Sequence, residues 1–297
     1  MQSAARATWR ASASVALAAC GFGSISLVTN AVVVRGGTLD ALMFWRYVIA
    51  IPGLALVAGY AALQLPRTQR LRLILGGGPL QAMVTLLSLT ALQWITPGTL
   101  GFLFYTFPGW VAVIAVARGT ERLTPRRIVA LTIAFAGIVL MVGSPWGEAA
   151  PLPGVLFALG SAIVYAIFVH AVPHWQGSAH PAASAAYICV GAGVVFALLL
   201  VVRGEAVLPA PRTTLPASAL LALVSTVAAF TLFFRGLTVL GPVRTAVVST
   251  IEPFYTTLAS ALVLGTALRP VALVGGALIA AAVVLIHAGP REGALPT

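Results

Sequence analysis

Two stretches of this chain, set one above the other, decide how it folds: LQWITPGTLGFLFYTFPGWVAVIAVARGTERLTPRR, from Leu92 to Arg127, and LTVLGPVRTAVVSTIEPFYTTLASALVLGTALRPVA, from Leu237 to Ala272. Without a gap, Pro97 falls on Pro242, Pro108 on Pro253, Leu123 on Leu268 and Pro125 on Pro270. Beyond the quoted windows the register holds, with Ala136, Val139 and Leu140 falling on Ala281, Val284 and Leu285. Three prolines in constant register are hard to obtain by chance between unrelated apolar segments. The pattern points to a tandem duplication, residues 1–148 followed by 149–297.

Composition says what the duplicated unit is made for. Of 297 residues, 60% are hydrophobic and only 8% are charged, with a mean hydropathy of +1.03. A soluble domain carries roughly 25% charged residues, because it must present a wettable surface. This chain cannot do so, and its apolar runs recur at the ~20-residue length that carries a helix across a ~30 Å hydrocarbon core. Backbone groups in lipid must pair internally, which leaves helices or a closed barrel, and runs this long and evenly apolar are not barrel strands. The expectation is an all-α polytopic membrane protein. Its ten spans are expected at 13–34, 38–60, 73–94, 98–117, 126–143, 154–172, 181–202, 216–240, 244–264 and 270–288.

The net charge of +11 comes from 17 basic residues, all of them arginine, against six acids. Most lie in short connections, so the charge reads as a topology signal and not as a nucleic-acid footprint. With both termini cytoplasmic, Arg6, Arg10, Arg67, Arg70, Arg72, Arg118, Arg122, Arg126, Arg127, Arg244 and Arg291 lie inside. Arg35, Arg203, Arg212 and Arg269 lie outside. Five spans per unit is an odd number, so the second unit enters the membrane from the opposite side. Two inverted halves can exchange roles, opening a path to one side and then the other, as transporters do.

Enzyme and metal chemistry find little support in the sequence. The four histidines have no metal spacing, no paired acids or HExxH arrangement occur, and Cys20 and Cys189 form no disulfide framework. Neither a selectivity loop nor a charged ring suggests a channel. The sequence therefore predicts a non-enzyme without cofactor or metal.

The residue that needs explaining is Glu252, in STIEPFYTTL (Ser249 to Leu258). It stands about eight residues into the ninth span, ~12 Å deep at 1.5 Å per residue. A carboxylate at that depth is costly and faces a bundle interior or a wet cavity. Pro253 behind it, and Pro108 at the matching position, each remove a helix hydrogen bond and predict a kinked, partly unwound segment. Phe107 stands where the first unit would match Glu252, so one wall is aromatic and the other acidic. Three roles are open for Glu252: contact with a substrate ammonium or proton, a structural pair with Arg46, Arg235 or Arg244, or a neutral buried acid. Arg46 itself either faces a substrate carboxylate or pairs with Asp40 or a carbonyl.

Trp94, Phe102, Phe104, Tyr105, Phe107 and Trp110 crowd the fourth span, and Tyr165, Phe230 and Tyr255 add rings elsewhere. Ring faces and edges suit an aromatic or thioether side chain. The candidate substrate-binding set is Glu252, Tyr255, Tyr105, Phe104, Phe107, Gln81, Tyr165 and Arg46. Pro108 and Pro253 serve as helix kinks. Ser161 and Thr226 read more simply as interhelical glue. Small residues make the fifth span (Ala130, Ala134, Gly137) and the tenth (Gly275, Gly276, Ala277, Ala280, Ala281) close-packing helices.

FYTFPGWVAVIAVARGTERLTPRRIVALTIAFAGIVLMV and STIEPFYTTLASALVLGTALRPVALVGGALIAAAVVLI both resemble the repeat signature of the EamA type in the drug/metabolite transporter (DMT) superfamily. That signature has a proline in the fourth helix of each repeat, a short loop often carrying glutamate, and a Gly/Ala-rich fifth helix. The first copy has Glu121 in the loop and the second has Thr266, so that acid is not duplicated. The chain is most similar to YddG-type exporters of aromatic amino acids. The resemblance implies ten helices in two inverted repeats around a central cavity, in a bacterial inner membrane. It also implies a small-molecule substrate, no nucleic acid, and a monomer or weak dimer, with proton exchange and facilitated diffusion both open. Another DMT cargo, such as a drug or a nucleotide sugar, is the alternative.

Overall fold

A computed structural model of the chain describes residues 2–33, 38–120, 124–142, 151–204, 214–265 and 270–287. Glu121 and Thr266 lie outside the described residues. Among the described residues the secondary structure is helical throughout, without strands. Helix covers most of the described part of every stretch expected to span, the third ending early at Ala91 and the fourth and ninth each broken by a short turn.

In chain order the first half carries α1 (Gln2–Val33), α2 (Leu39–Ala58), α3 (Arg67–Arg72), α4 (Gly78–Ala91), α5 (Pro97–Phe104), α6 (Phe107–Ala117) and α7 (Pro125–Val142). The second carries α8 (Leu152–Gln176), α9 (Pro181–Val202), α10 (Thr214–Leu221), α11 (Ala229–Leu240), α12 (Pro242–Ser249), α13 (Ile251–Leu264) and α14 (Pro270–His287). A π-helical turn, Leu73–Gly77, joins α3 to α4, and a second, Ala222–Ala228, joins α10 to α11. Among the described residues, seven continuous helical stretches are long and apolar enough to cross a membrane. They are Leu39–Ala62, Arg67–Ala91, Pro97–Ala117, Leu152–Gln176, Pro181–Val202, Thr214–Leu240 and Pro242–Val263; Pro270–Ile286 is apolar but shorter.

The aligned prolines have matching positions in the two halves. Pro97 and Pro242 open α5 and α12, and Pro125 and Pro270 open α7 and α14. The first helical position suits a residue that has no N–H to offer and a fixed φ. Thr96 adds a side-chain cap, its Oγ1 accepting from the Thr99 N–H at 3.2 Å. Pro108 and Pro253 lie just after interruptions, at Tyr105–Thr106 between α5 and α6 and at Thr250 between α12 and α13. At each interruption a threonine hydroxyl bonds back to a carbonyl three residues earlier: Thr106 to Leu103 at 2.6 Å and Thr250 to Val247 at 2.7 Å.

Three boundaries differ from expectation. Helix begins at Gln2 in place of residue 13, at Arg67 in place of 73, and α8 runs through Pro173 to Gln176 in place of stopping at 172. A proline near a helix end removes only one bond and need not stop the helix. Here the Gln69 side-chain amide donates to the Gln176 carbonyl, satisfying one acceptor at that end.

The chain packs as two compact units, each drawing on both halves of the sequence. The first comprises Met1–Ser12, Met83–His170 and Val239–Thr297. In it α7 packs along α14, and α6 against α12. Ala130, Ala134, Val247, Ala282 and Ile286 form a buried cluster there. Contact is close because the residues are small: a Cβ on Gly137 would stand 2.6 Å from the Gly275 carbonyl oxygen, and one on Gly275 would stand 2.5 Å from that of Gly137. The two stretches read as close-packing helices therefore pack on each other.

The second unit comprises Ala13–Ala82 and Ala171–Thr238, where α2 packs on α9 and α10. At the Leu73–Gly77 turn, a Cβ on Gly191 would run into the Ile74 carbonyl oxygen and stand 2.9 Å from the Gly78 Cα. Asp40 forms its ion pair with Arg203, whose side chain is 52% exposed. Asp40 is itself buried while Arg203 reaches solvent, so the pair is only half screened and Asp40→Asn is expected to cost about 1–2 kcal/mol in thermal unfolding.

Candidate functional site

The break in the first half is flanked by Phe104, Tyr105 and Phe107, because Pro108 ends the regular backbone bonding at that point. Helix α8 passes beside it with Tyr165 and Phe168. The rings form one connected group within the first unit. Phe104 lies 5.5 Å from Phe107 and 5.6 Å from Tyr165, and Phe107 meets Tyr165 edge-on at 4.9 Å and 84°. Tyr165 stacks on Phe168 at 6.2 Å and 15°. Tyr105 is 5.7 Å from Phe104 and 6.3 Å from Phe107. Phe107 and Tyr105 are buried, while Phe104 and Tyr165 are half-buried.

The break in the second half supplies the polar member. Glu252, half-buried in the first turn of α13, lies beside the Tyr105 hydroxyl, which interacts electrostatically with its carboxyl. Tyr165 lies within electrostatic reach of the same carboxyl. The neighbour of the acid is thus a phenol from the matching break in the first half. Tyr255 stands one turn further along α13, on the face of Glu252. Five of the eight expected substrate-binding residues (Glu252, Tyr105, Phe104, Phe107 and Tyr165) come together here. The arrangement can offer ring faces to an apolar side chain and a carboxyl to an ammonium or a proton.

Arg46 and Gln81 belong to the second unit. Arg46 is 2% exposed. Its Nε donates to Thr226 Oγ1 at 2.8 Å and one Nη to the Ser225 carbonyl at 3.4 Å, both on the π-helical turn. The guanidinium also lies over the Tyr47 ring, 5.3 Å from its centre. Gln81 donates to the Tyr47 hydroxyl at 3.5 Å. Of the two structural pairings open to Arg46, the carbonyl is the one formed. Lysine cannot span two acceptors with a planar fork, so Arg46→Lys is expected to lose about 1.5–3 kcal/mol of stability, read by thermal unfolding in detergent.

Other sequence candidates go elsewhere. Trp94 stacks on Phe157 at 5.4 Å and Phe102 meets Phe135 at 5.8 Å. Phe230 belongs to the second unit with Phe22 and Phe234, at 5.6 and 5.5 Å. Ser161 bonds Ser88 at 2.8 Å and the Val84 carbonyl at 2.9 Å, tying helices together. Phe168 and Tyr47 were not singled out from the sequence. The three-residue spacing of Phe168 from Tyr165 on one helix was the available signal; for Tyr47 there was none beyond adjacency to Arg46. Among the described residues no group of three His, Cys, Asp or Glu could hold a metal.

Apolar helices of spanning length, broken in the same register in both halves, define a polytopic membrane protein with an internal repeat. A family model described as the EamA-like transporter family matches residues 10–143 and again 152–288, and the chain belongs to that family. It is accordingly a multi-pass membrane transporter of the drug/metabolite type, a family of transporters and not of enzymes. No curated protein matches the chain. A solved crystal structure, 19% identical, covers 96% of this chain and 96% of its own with a TM-score of 0.76, which establishes likeness of fold alone.

Proposed function

We propose that this transporter exports small amphipathic metabolites, aromatic and other hydrophobic amino acids first, across a bacterial inner membrane. The observation that carries the reading is the ring group Phe104, Tyr105, Phe107, Tyr165 and Phe168 gathered beside the Glu252 carboxyl at the helix breaks. Rings receive the apolar side chain, and Glu252 receives the ammonium or a proton. Tyr255 lies next to it along α13.

Ten spans in two inverted five-helix repeats, 1–148 and 149–297, would move this site by alternating access around a midplane cavity. Support comes from the paired breaks at Pro108 and Pro253. It comes also from the way helices of the first half pack on their counterparts in the second, α2 on α9 and α7 on α14. The arginine distribution favours cytoplasmic termini. A monomer or weak dimer suffices for this mechanism, with or without proton exchange. The rival cargo class is a nucleotide sugar or drug. A nucleotide needs several cations for its phosphates, and Arg46 and Arg235 are the only arginines more than two residues from the end of an expected span.

Counterflow in proteoliposomes tests the proposal, with labelled phenylalanine outside and unlabelled solutes inside. Uptake driven by internal phenylalanine, tryptophan or methionine, but not by a nucleotide sugar, is the expected result. Exchange with another solute class and with no amino acid would overturn the cargo and leave the fold standing.

A further inference from the structure

The transport reading leaves one feature of the second unit unused, the short basic helix α3. Arg67, Arg70 and Arg72 occupy three of its six positions. Arg67 and Arg72 are exposed; Arg70 is half-buried, with its Nε buried and lacking a hydrogen-bond partner. Three guanidinium groups within one and a half turns repel one another. Among the described residues none of the three has a carboxylate partner, and Asp40, the only acid of the second unit that is described, is held by Arg203.

The surroundings of α3 are fixed. Gln69, on the same helix, donates to the Gln176 carbonyl at the end of α8. The Trp175 ring packs so closely on the following turn that a Cβ on Gly76 would stand 2.8 Å from it. On the other flank, the Tyr187 hydroxyl donates to the Ala62 carbonyl at 2.8 Å. Below the arginines the same rod continues apolar and uncovered: Leu71 is 43% exposed and Leu75 69%. Leu63, just before α3, is 72% exposed.

We propose that α3 and Trp175 form a binding site for the headgroup of an anionic phospholipid. Arg67 and Arg70, three residues apart on one face, take the phosphate oxygens, for which the planar guanidinium fork is suited. Leu71 and Leu75 lie one turn apart below them, along an acyl chain, and Trp175 sits at the headgroup level where indoles concentrate. The apolar continuation is what selects a lipid over free phosphate, since inorganic phosphate has no use for it. Basic segments at the end of a membrane helix bind acidic lipids in this way. The site is independent of the cargo.

Native mass spectrometry and thermal unfolding test it on the purified full chain in detergent, supplemented with phosphatidylglycerol, phosphatidylcholine or inorganic phosphate. The protein is expected to retain phosphatidylglycerol after phosphatidylcholine is stripped, and to gain thermal stability from it. Arg67→Gln/Arg70→Gln/Arg72→Gln is expected to lower phosphatidylglycerol affinity at least tenfold. Arg6→Gln/Arg10→Gln/Arg126→Gln, which removes the same charge from other exposed positions, is expected to keep it. Leu71→Ser/Leu75→Ser is expected to weaken retention several-fold with the arginines intact. If the first triple variant does not fold, Arg70→Gln alone is expected to show a loss of several-fold. Equal loss in both triple variants would reduce the site to general surface charge and overturn it. Equal retention of the two lipids, or equal stabilisation by inorganic phosphate, would overturn it as well.

Discussion

Glu252→Gln is expected to lower amino-acid counterflow about tenfold or more while leaving the thermal unfolding of the protein within a degree or two of the parent. Glutamine keeps the shape and a polar oxygen of the side chain beside Tyr105, so the packing around the break survives. What it removes is the ability to carry a negative charge or bind a proton. A hydrogen bond to a charged group contributes about 1.5–3 kcal/mol, and each 1.4 kcal/mol is a factor of ten. Tyr105→Phe is the comparison. It removes the hydroxyl beside the carboxyl but leaves the acid and the ring, so its loss should be the smaller of the two. If Glu252→Gln exchanges phenylalanine at the parental rate, the carboxyl is a packing group and the ammonium is received elsewhere. If both variants are slow but phenylalanine still binds, Glu252 acts in the conformational step.

Gly137→Leu is expected to cost at least about 3 kcal/mol, the upper end of what overpacking usually costs. The atom its Cβ would meet at 2.6 Å is the Gly275 backbone oxygen, and Ile279 Cγ1 is close behind at 2.9 Å. A crowded side chain can change rotamer, but a carbonyl inside a helix can move only if the helix moves. α7 would have to separate from α14, and in lipid that loses contacts which no hydrophobic driving force replaces. Thermal unfolding in detergent reads the effect. Gly101→Ala is the control, because nothing lies within 4 Å of a Cβ placed there; with alanine's better helix propensity it should be neutral or slightly stabilising. A wild-type midpoint for Gly137→Leu would mean that the α7–α14 contact is loose in solution.

The parts of the fold that could be read from the sequence are those whose cause is local. Proline acts through its missing N–H and fixed φ wherever it stands, so Pro97, Pro125, Pro242 and Pro270 announce helix starts and Pro108 and Pro253 announce breaks. Apolar runs of membrane length announce helices. Pro173 shows the limit of that reasoning: one lost bond is a small term when Gln69 reaches across to the end of α8.

The site was legible only in part, because membership depends on which faces meet. Phe104, Tyr105 and Phe107 were visible as rings crowded around a kink. Nothing in the order of residues says that Trp94 and Phe102 turn to Phe157 and Phe135, or that Phe230 sits with Phe22. Arg46 illustrates the same point. Its sequence neighbours suggested Asp40, yet its acceptors lie on a π-helical turn far along the chain, and no periodicity advertises a widened turn.

Because each packed unit draws on both halves of the chain, the ribosome cannot finish either unit from the first half alone. α7 must wait in the membrane for α14, and α2 for α9. At ~5–20 residues per second, the interval between synthesis of Pro125 and of Pro270 is about 7–30 s. During that time the bare carbonyl and glycine face of α7 has only lipid or another nascent helix against it. The same close approach at Gly137 that is expected to resist substitution leaves the newborn α7 with a smooth flank and no partner until α14 arrives. Quality-control proteases and insertion factors would meet the molecule in that half-made state.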